Sequence, residues 1–256
     1  MGKRGFFMLV EPQEGRIAVA LEGQEFDLED ACDAFPLGGG AVQVCRIVIS
    51  PSEKYVLLSE VLNELKDESE LARMSQRLID LVNGVLFIDN PVRQPIRHQG
   101  IHHRQSANGN WGVTINVPTA FARGRAGKIS FAQKTAPTEQ QSQICLALSD
   151  EVVMEVLTYL RDTPDWLDLY KAHETMQADL SVRFGPEGKK IVGWPSKKIK
   201  IFTEVANGAR HGEKSERVRE KRQRKGESVM SLSEARQFVR ELCQLWLKSI
   251  GVQNGG

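Results

Sequence analysis

Apolar residues follow different spacings in the two halves of the chain, and the spacing predicts strands first and helices afterwards. Before residue 134 the apolar runs are short and bounded by Gly, Pro or polar residues, which is typical of strands. The predicted strands are FFMLV (6–10), GRIAVAL (15–21), AVQVCRIVI (41–49), WGVTINV (111–117) and KISFA (128–132). A capping box at Asp67 and Glu70 predicts one long helix among them, because the apolar residues that follow recur at helical spacing.

Helical spacing continues from about residue 145 to the end, where apolar faces predict four helices. The first is expected to stop at Thr163-Pro164, with Thr163 capping the second helix. Ser196 is expected to cap the third helix. The last opens with a second capping box, Ser231 and Glu234, and is expected to end at Gly251. The apolar stripe predicted for the second helix is Trp166, Leu169, Tyr170, His173, Met176 and Leu180.

These patterns predict an α+β fold, in which a mixed α/β domain precedes an all-helical domain. The segment KTAPTEQQSQ is polar and aperiodic, so the linker is placed at residues 134–144. The α+β domain then covers residues 1–133 and the helical domain residues 145–256. A basic loop is expected near residues 212–229, inside the helical domain.

Composition excludes several classes of protein. No apolar run reaches the roughly 18 residues of a membrane span. The four cysteines are widely spaced, which favours reduced thiols and a cytoplasmic protein. His98, His102 and His103 cluster, but no cysteine lies nearby to complete a zinc site, so neither metal nor cofactor is expected. Their segment, RQPIRHQGIHH, is interpreted as a strand or loop without catalytic chemistry.

Charge is unevenly distributed along the chain. The net charge is +1, yet residues 181–225 carry 14 Lys or Arg against 5 Asp or Glu. The segment from Lys214 to Lys225 has almost no apolar face, which predicts either a solvated connector or a contact with nucleic-acid phosphates. It contains no aromatic residue to stack on bases, so nonspecific backbone contact is the more plausible form of binding. The residues that would make this contact are Lys214, Arg217, Arg219, Lys221, Arg222, Arg224 and Lys225.

A polar cluster is predicted where the second and third helices of the helical region meet. Asn207 and Arg210 flank the apolar stripe of the third helix, and Glu174 occupies a comparable flank of the second. Together with His211 they could form a site for proton transfer and phosphate stabilisation, provided that the helices pack antiparallel. The structural alternative is that Arg210 and His211 complement the helix dipole and that Glu174 pairs with Arg210.

Several motifs in residues 150–250 carry a family resemblance. They are WxxLYKxxE (166–174), Ala206-Asn207, ARHG (209–212) and MSLxEA (230–235). The pattern is similar to a group of uncharacterised bacterial proteins that share a C-terminal helical region. More loosely, the chain resembles HEPN-type domains, many of which are ribonucleases of defence or toxin systems. Those ribonucleases separate their Arg and His by four to six residues on one helix, whereas Arg210 and His211 are adjacent.

The resemblance to HEPN domains implies an RNA substrate, which gives the leading functional hypothesis. The protein is expected to associate with RNA or another nucleic acid, as part of a defence or toxin module. If it is an enzyme, Glu174, Asn207, Arg210 and His211 form the catalytic site, with His211 transferring a proton and Arg210 holding a phosphate. The alternative is a noncatalytic protein that binds a protein partner, in which case the polar cluster is structural.

Overall fold

The computed structural model describes residues 14–49, 52–115, 136–210, 220, 224 and 229–254. The predicted α+β class is confirmed, because an antiparallel sheet in the N-terminal half is followed by a helical C-terminal region. The chain divides into two compact units. The first comprises residues 1–82 and 94–146, and the second comprises residues 83–93 and 147–256.

A five-stranded sheet forms the centre of the first unit. Its strands are β1 (Ile17–Glu22), β2 (Gln43–Ile49), β3 (Ser52–Leu58), β4 (Arg97–Gln105) and β5 (Trp111–Ile115). Their order is β2-β3-β1-β4-β5, and all neighbours are antiparallel. The strands predicted at 15–21, 41–49 and 111–117 match β1, β2 and β5. The predicted strands at 6–10 and 128–132 lie outside the described residues.

Both faces of β1 are buried, and one cluster of the first unit's core lies on the face that carries Ala18. The antiparallel register aligns Ala18 with Leu58, and it aligns Cys45 with Val56. Because side chains alternate along a strand, all four belong to the same face. The buried cluster there consists of Ala18, Leu37, Cys45, Ile47, Val56, Leu58 and Trp111.

Four helices begin in the first unit: α1 (Glu25–Ala34), α2 (Glu60–Asn63), α3 (Glu68–Asp89) and α4 (Glu139–Ser149). The predicted cap of α3 is present, since the backbone N–H of Glu70 donates to Asp67 Oδ1 at 2.8 Å. Residues 139–144 of the predicted linker are helical and form the start of α4. There the side-chain amide of Gln141 donates to backbone carbonyls of the 36–42 loop, including those of Pro36 and Val42 at 2.9 and 3.2 Å. A loop contact of this kind leaves no apolar periodicity in the sequence.

The second unit contains α5 (Glu151–Tyr159), α6 (Trp166–Phe184), α7 (Gly188–Ile191), α8 (Ser196–Arg210) and α9 (Leu232–Asn254), together with the last residues of α3. Two predicted helix ends need correction. Asp165, rather than Thr163, caps α6, because its carboxylate accepts from the N–H groups of Leu167 and Asp168 at 2.8 and 3.0 Å. Helix α9 also continues through Gly251. No helix among the described residues is long and apolar enough to cross a membrane.

A buried charged network joins three helices of the second unit. Asp179 of α6 accepts from the Trp246 indole at 2.8 Å and from Arg183 Nε at 2.7 Å. Arg183 also donates to Asp150, the residue that caps α5. Each charge is therefore paired or hydrogen-bonded, as charges need to be in an apolar interior. The network ties α5, α6 and α9 together.

Candidate functional site

Helices α6 and α8 pack against each other in antiparallel directions. The His173 ring of α6 stacks on Trp194, just before α8, with ring centroids 5.6 Å apart. Eight residues later, Phe202 contacts both His173 at 5.5 Å and Trp166 at 6.3 Å. From Trp194 to Phe202 along the chain, the residues contacted on α6 therefore change from residue 173 toward residue 166. The packing is therefore antiparallel, as assumed for the predicted polar cluster, but its register places Glu174 nearer the start of α8 than its end.

His173 lies in the aromatic core of this helix pair. It is 1% exposed, and neither ring nitrogen has a hydrogen-bond partner among the described residues. Burial, with a smaller contribution from the charge of Lys189, lowers the pKa of His173 to about 4. The imidazole is therefore neutral near pH 7. The buried position that the apolar stripe predicts for His173 is confirmed.

The four predicted catalytic residues occupy the following places. Glu174 is exposed on α6 and follows the buried His173 directly. Asn207 is half-buried in the last turn of α8. Arg210 is the last residue of α8, and its side chain and the whole of His211 lie outside the described part of the structure. The meeting of Glu174 with Arg210 or His211 therefore stays a prediction.

A lysine-rich face extends from α7 to the first turns of α8. Five lysines occur in residues 185–203, where Glu187 is the only acidic residue. Lys197, Lys198 and Lys200 are exposed, and within the described residues none of them forms an ion pair. Lys190 pairs loosely with Glu187, at 3.7 Å between Nζ and Oε2. We call the five residues Lys189, Lys190, Lys197, Lys198 and Lys200 the lysine face.

The lysine face has unneutralised positive charge and no stacking platform. Trp194, the only aromatic residue before α8 in this region, is 4% exposed and donates its indole N–H to the Leu242 carbonyl at 3.3 Å. A ligand on this face would therefore meet ammonium groups, which bind anions as point charges. These lysines contribute to the positive charge of residues 181–225 that the sequence shows. Which of them are exposed, and which form ion pairs, can be read only from the structure.

Most of the predicted basic segment falls outside the described residues. Lys214, Arg217, Arg219, Lys221, Arg222 and Lys225 are in this group. Arg224 is described: it is exposed and helical, and its guanidinium lies 3.9 Å from Glu220 one turn earlier. An exposed ion pair at that distance is weak, so the guanidinium of Arg224 can still bind another anion. The contact of this segment with nucleic acid stays a prediction.

Comparisons with known proteins leave the site without a relative. No protein-family model, no curated protein and no solved structure matches the chain. Within the described residues, no group of three or more His, Cys, Asp or Glu side chains is arranged to hold a metal ion.

Proposed function

We propose that the protein binds nucleic acid, preferentially RNA, through the lysine face of its helical unit. The observation that carries the proposal is the group of exposed ammonium ions on α8, Lys197, Lys198 and Lys200, none of which forms an ion pair with another described residue. Each bound lysine would release a condensed counterion from the phosphate backbone, which makes binding favourable and dependent on salt. The basic segment from Lys214 to Lys225 would extend the same contact.

The chemistry of the lysine face favours backbone contact over base recognition. Ammonium groups neutralise phosphates without forming the planar, bidentate pairs by which arginine reads guanine. The buried position of Trp194 also leaves that ring unable to stack on a base. The expected partner is therefore an RNA bound through its phosphate backbone, with little sequence preference.

A salt titration with a charge-matched control tests the binding proposal. The variant Lys197→Ala/Lys198→Ala/Lys200→Ala removes three unpaired charges. The slope of log affinity against log salt for a labelled single-stranded RNA should become shallower by about 2, at roughly 0.7 per neutralised phosphate. Fluorescence anisotropy between 50 and 200 mM salt measures this slope. Deleting residues 214–225 should reduce it further.

The control removes three positive charges from outside the lysine face. Arg73, Arg161 and Lys248 lie on the surface of other elements, so Arg73→Ala/Arg161→Ala/Lys248→Ala changes the net charge equally. An equal loss of slope in both triple variants would show a general charge effect and contradict the proposal. The absence of salt-dependent binding by the wild type would favour the alternative, a noncatalytic protein that acts with a protein partner.

The catalytic part of the proposal concerns Glu174, Asn207, Arg210 and His211 and is tested separately. It follows from the resemblance to HEPN domains and not from the packing of α6 and α8, because the contacts of His173 with Trp194 and Phe202 place Glu174 nearer the start of α8 than its end. His211 would transfer the proton, and Arg210 would hold the scissile phosphate. Incubating total RNA with wild type, Arg210→Ala and His211→Ala should give cleavage by the wild type alone. Equal cleavage by all three proteins, or none by the wild type, would leave RNA binding without catalysis.

A further inference from the structure

Strand β2 is an edge of the sheet in the first unit, and part of its outer side is unpaired. The β2–β3 register continues without a break through all of β2, so the backbone groups point alternately toward β3 and away from it. The N–H of Val44 points away, because it donates to the Phe35 carbonyl at 2.7 Å. By alternation, the N–H and C=O groups of Arg46 and Val48 also point away from β3. No described residue forms a backbone hydrogen bond with them there, and we call these groups the β2 edge.

Exposed apolar side chains flank the β2 edge. Among the described residues of the first unit, the exposed large apolar side chains are Val48, at 39%, and Phe26, at 80%. Val48 belongs to the edge itself. Phe26 lies three residues before Glu29 on α1, so the two are neighbours on the helix surface, and Glu29 accepts from Arg46 at 3.2 Å. An unpaired strand edge beside exposed apolar side chains is typical of a surface that another strand covers.

The β2 edge is complementary to a second copy of itself. Arg46 and Val48 lie symmetrically on either side of Ile47 in the strand. When two β2 strands run antiparallel with Ile47 on the two-fold axis, Arg46 of each copy faces Val48 of the other. Each of these facing pairs exchanges both of its N–H···O=C bonds. All the outward backbone groups of the edge are then paired.

The side chains beside the axis also fit this pairing. Arg46 lies opposite an apolar residue rather than opposite the second Arg46, so like charges do not face each other directly. Val48 is paired with Glu53 of β3 in each copy, so the row of side chains that crosses the interface contains Arg46, Val48 and Glu53 in turn. Opposite charges therefore flank an apolar contact. An unrelated strand would have to supply both the backbone register and the apolar residue opposite Arg46, whereas a second copy supplies both.

We propose that the chain forms a two-fold symmetric dimer through antiparallel pairing of two β2 edges, with Val48 covered and Phe26 at the rim of the interface. The proposal concerns the first unit alone. It does not rest on RNA binding, because the lysine face belongs to the second unit. An interface of one strand pair is small, so the dimer should dissociate on dilution.

Sedimentation velocity of the full chain, without nucleic acid, tests the dimer over concentrations of about 1 to 500 µM, where small interfaces dissociate. Wild type should change from monomer to dimer across this range. Val48→Pro removes the outward N–H but no bond to β3, and it should raise the dissociation constant by at least about tenfold, since each dimer loses two donors. Val48→Thr keeps the N–H and the branched shape and should stay within about threefold of wild type.

A charge series tests the register and does not depend on the strand's tolerance of proline. Val48→Lys places a lysine opposite Arg46 and should raise the dissociation constant by about tenfold, because like charges then face each other twice in each dimer. Val182→Lys makes the same charge change at an 85% exposed valine of the second unit and should stay within about twofold of wild type. The double variant Arg46→Glu/Val48→Lys restores opposite charges across the axis and should regain most of the affinity.

Three outcomes would overturn the proposal. A wild type that stays monomeric at every concentration would leave the β2 edge to a strand of another protein. A dimer of equal strength in Val48→Pro or Val48→Lys would show that the copies meet at another surface. A double variant that remains as weak as Val48→Lys would exclude the antiparallel register. A melting curve for each variant confirms that it is folded.

Discussion

At the scale of single residues, the second unit contains a buried histidine, His173, whose position is not explained by hydrogen bonds. His173 contacts Trp194 and Phe202 through its ring faces and edges, while both ring nitrogens lack a partner in the described chain. A buried polar atom without a hydrogen bond costs free energy relative to an apolar group of the same shape. His173 therefore contributes to packing at some cost in stability.

Replacing His173 by phenylalanine should consequently stabilise the protein. The variant His173→Phe keeps an aromatic ring against Trp194 and removes the two unpartnered nitrogens, so the free energy of unfolding should rise by about 1 to 2 kcal/mol. Urea denaturation, monitored by tryptophan fluorescence, measures the change in the free energy of unfolding of the second unit. A loss of more than about 1 kcal/mol would mean that the imidazole has a partner that only histidine can satisfy.

At the scale of elements, α3 and α5 approach each other closely at a glycine. A Cβ atom added to Gly84 would lie 2.4 Å from the Leu157 carbonyl oxygen and 2.9 Å from the Leu157 Cβ. Backbone cannot move aside as the end of a flexible side chain can. The helices can therefore keep their separation only if residue 84 has no side chain.

Gly84→Ala should therefore destabilise the second unit by more than about 2 kcal/mol, although alanine favours a helix by about 1 kcal/mol over glycine. Gly251→Ala is the matched control, because Gly251 is also helical and nothing lies within 4 Å of an added Cβ there. The control should be stabilised by about 0.5 to 1 kcal/mol. Denaturant midpoints measure the stability of both variants. A Gly84→Ala variant more stable than the wild type would show that α3 and α5 can move apart without a cost in free energy.

The sequence predicts the elements well where periodicity or capping is strong. The capping box of α9 is present, with the Ser231 N–H donating to Glu234 at 2.6 Å and the Glu234 N–H donating to the Ser231 hydroxyl at 3.2 Å. Helix α1 was missed because only Asp27, Leu28 and Ala31 of its ten residues are buried, which gives too weak an apolar stripe.

The candidate sites were less predictable, because they depend on contacts between distant residues. The helical spacing around His173 correctly predicts burial, but the missing hydrogen bonds depend on Trp194 and Phe202 covering the ring. The pairing of His102 with Ser75 joins residues 27 positions apart in the sequence. No local motif encodes that contact.

At the scale of the whole molecule, acid sensitivity is expected in both units. His102 and His103 belong to the first unit and His173 to the second, and burial lowers the pKa of each to about 4 from an ordinary value of 6.5. Between these values the unfolded chain binds more protons than the folded chain. Stability is therefore complete above about pH 6.5 and falls as the pH drops toward 4.

The free energy of unfolding should fall by at most about 3 kcal/mol for each histidine. Melting temperatures between pH 7.5 and 4 measure it, and His173→Phe should make the transition of the second unit less dependent on pH. A melting temperature that stays constant from pH 6.5 to 4 would contradict the buried, neutral state of these side chains.

The division of α3 between the two units has a consequence for how the protein is made. The Ile88 carbonyl, near the end of α3, accepts hydrogen bonds from Arg240 Nε at 2.6 Å and from the Gln244 amide at 3.3 Å. Gln244 follows Ile88 by 156 residues, so at 5 to 20 residues per second the ribosome delivers it about 8 to 30 seconds later. Until then these contacts between α3 and α9 cannot form, so we expect chaperones to bind the nascent chain during that interval.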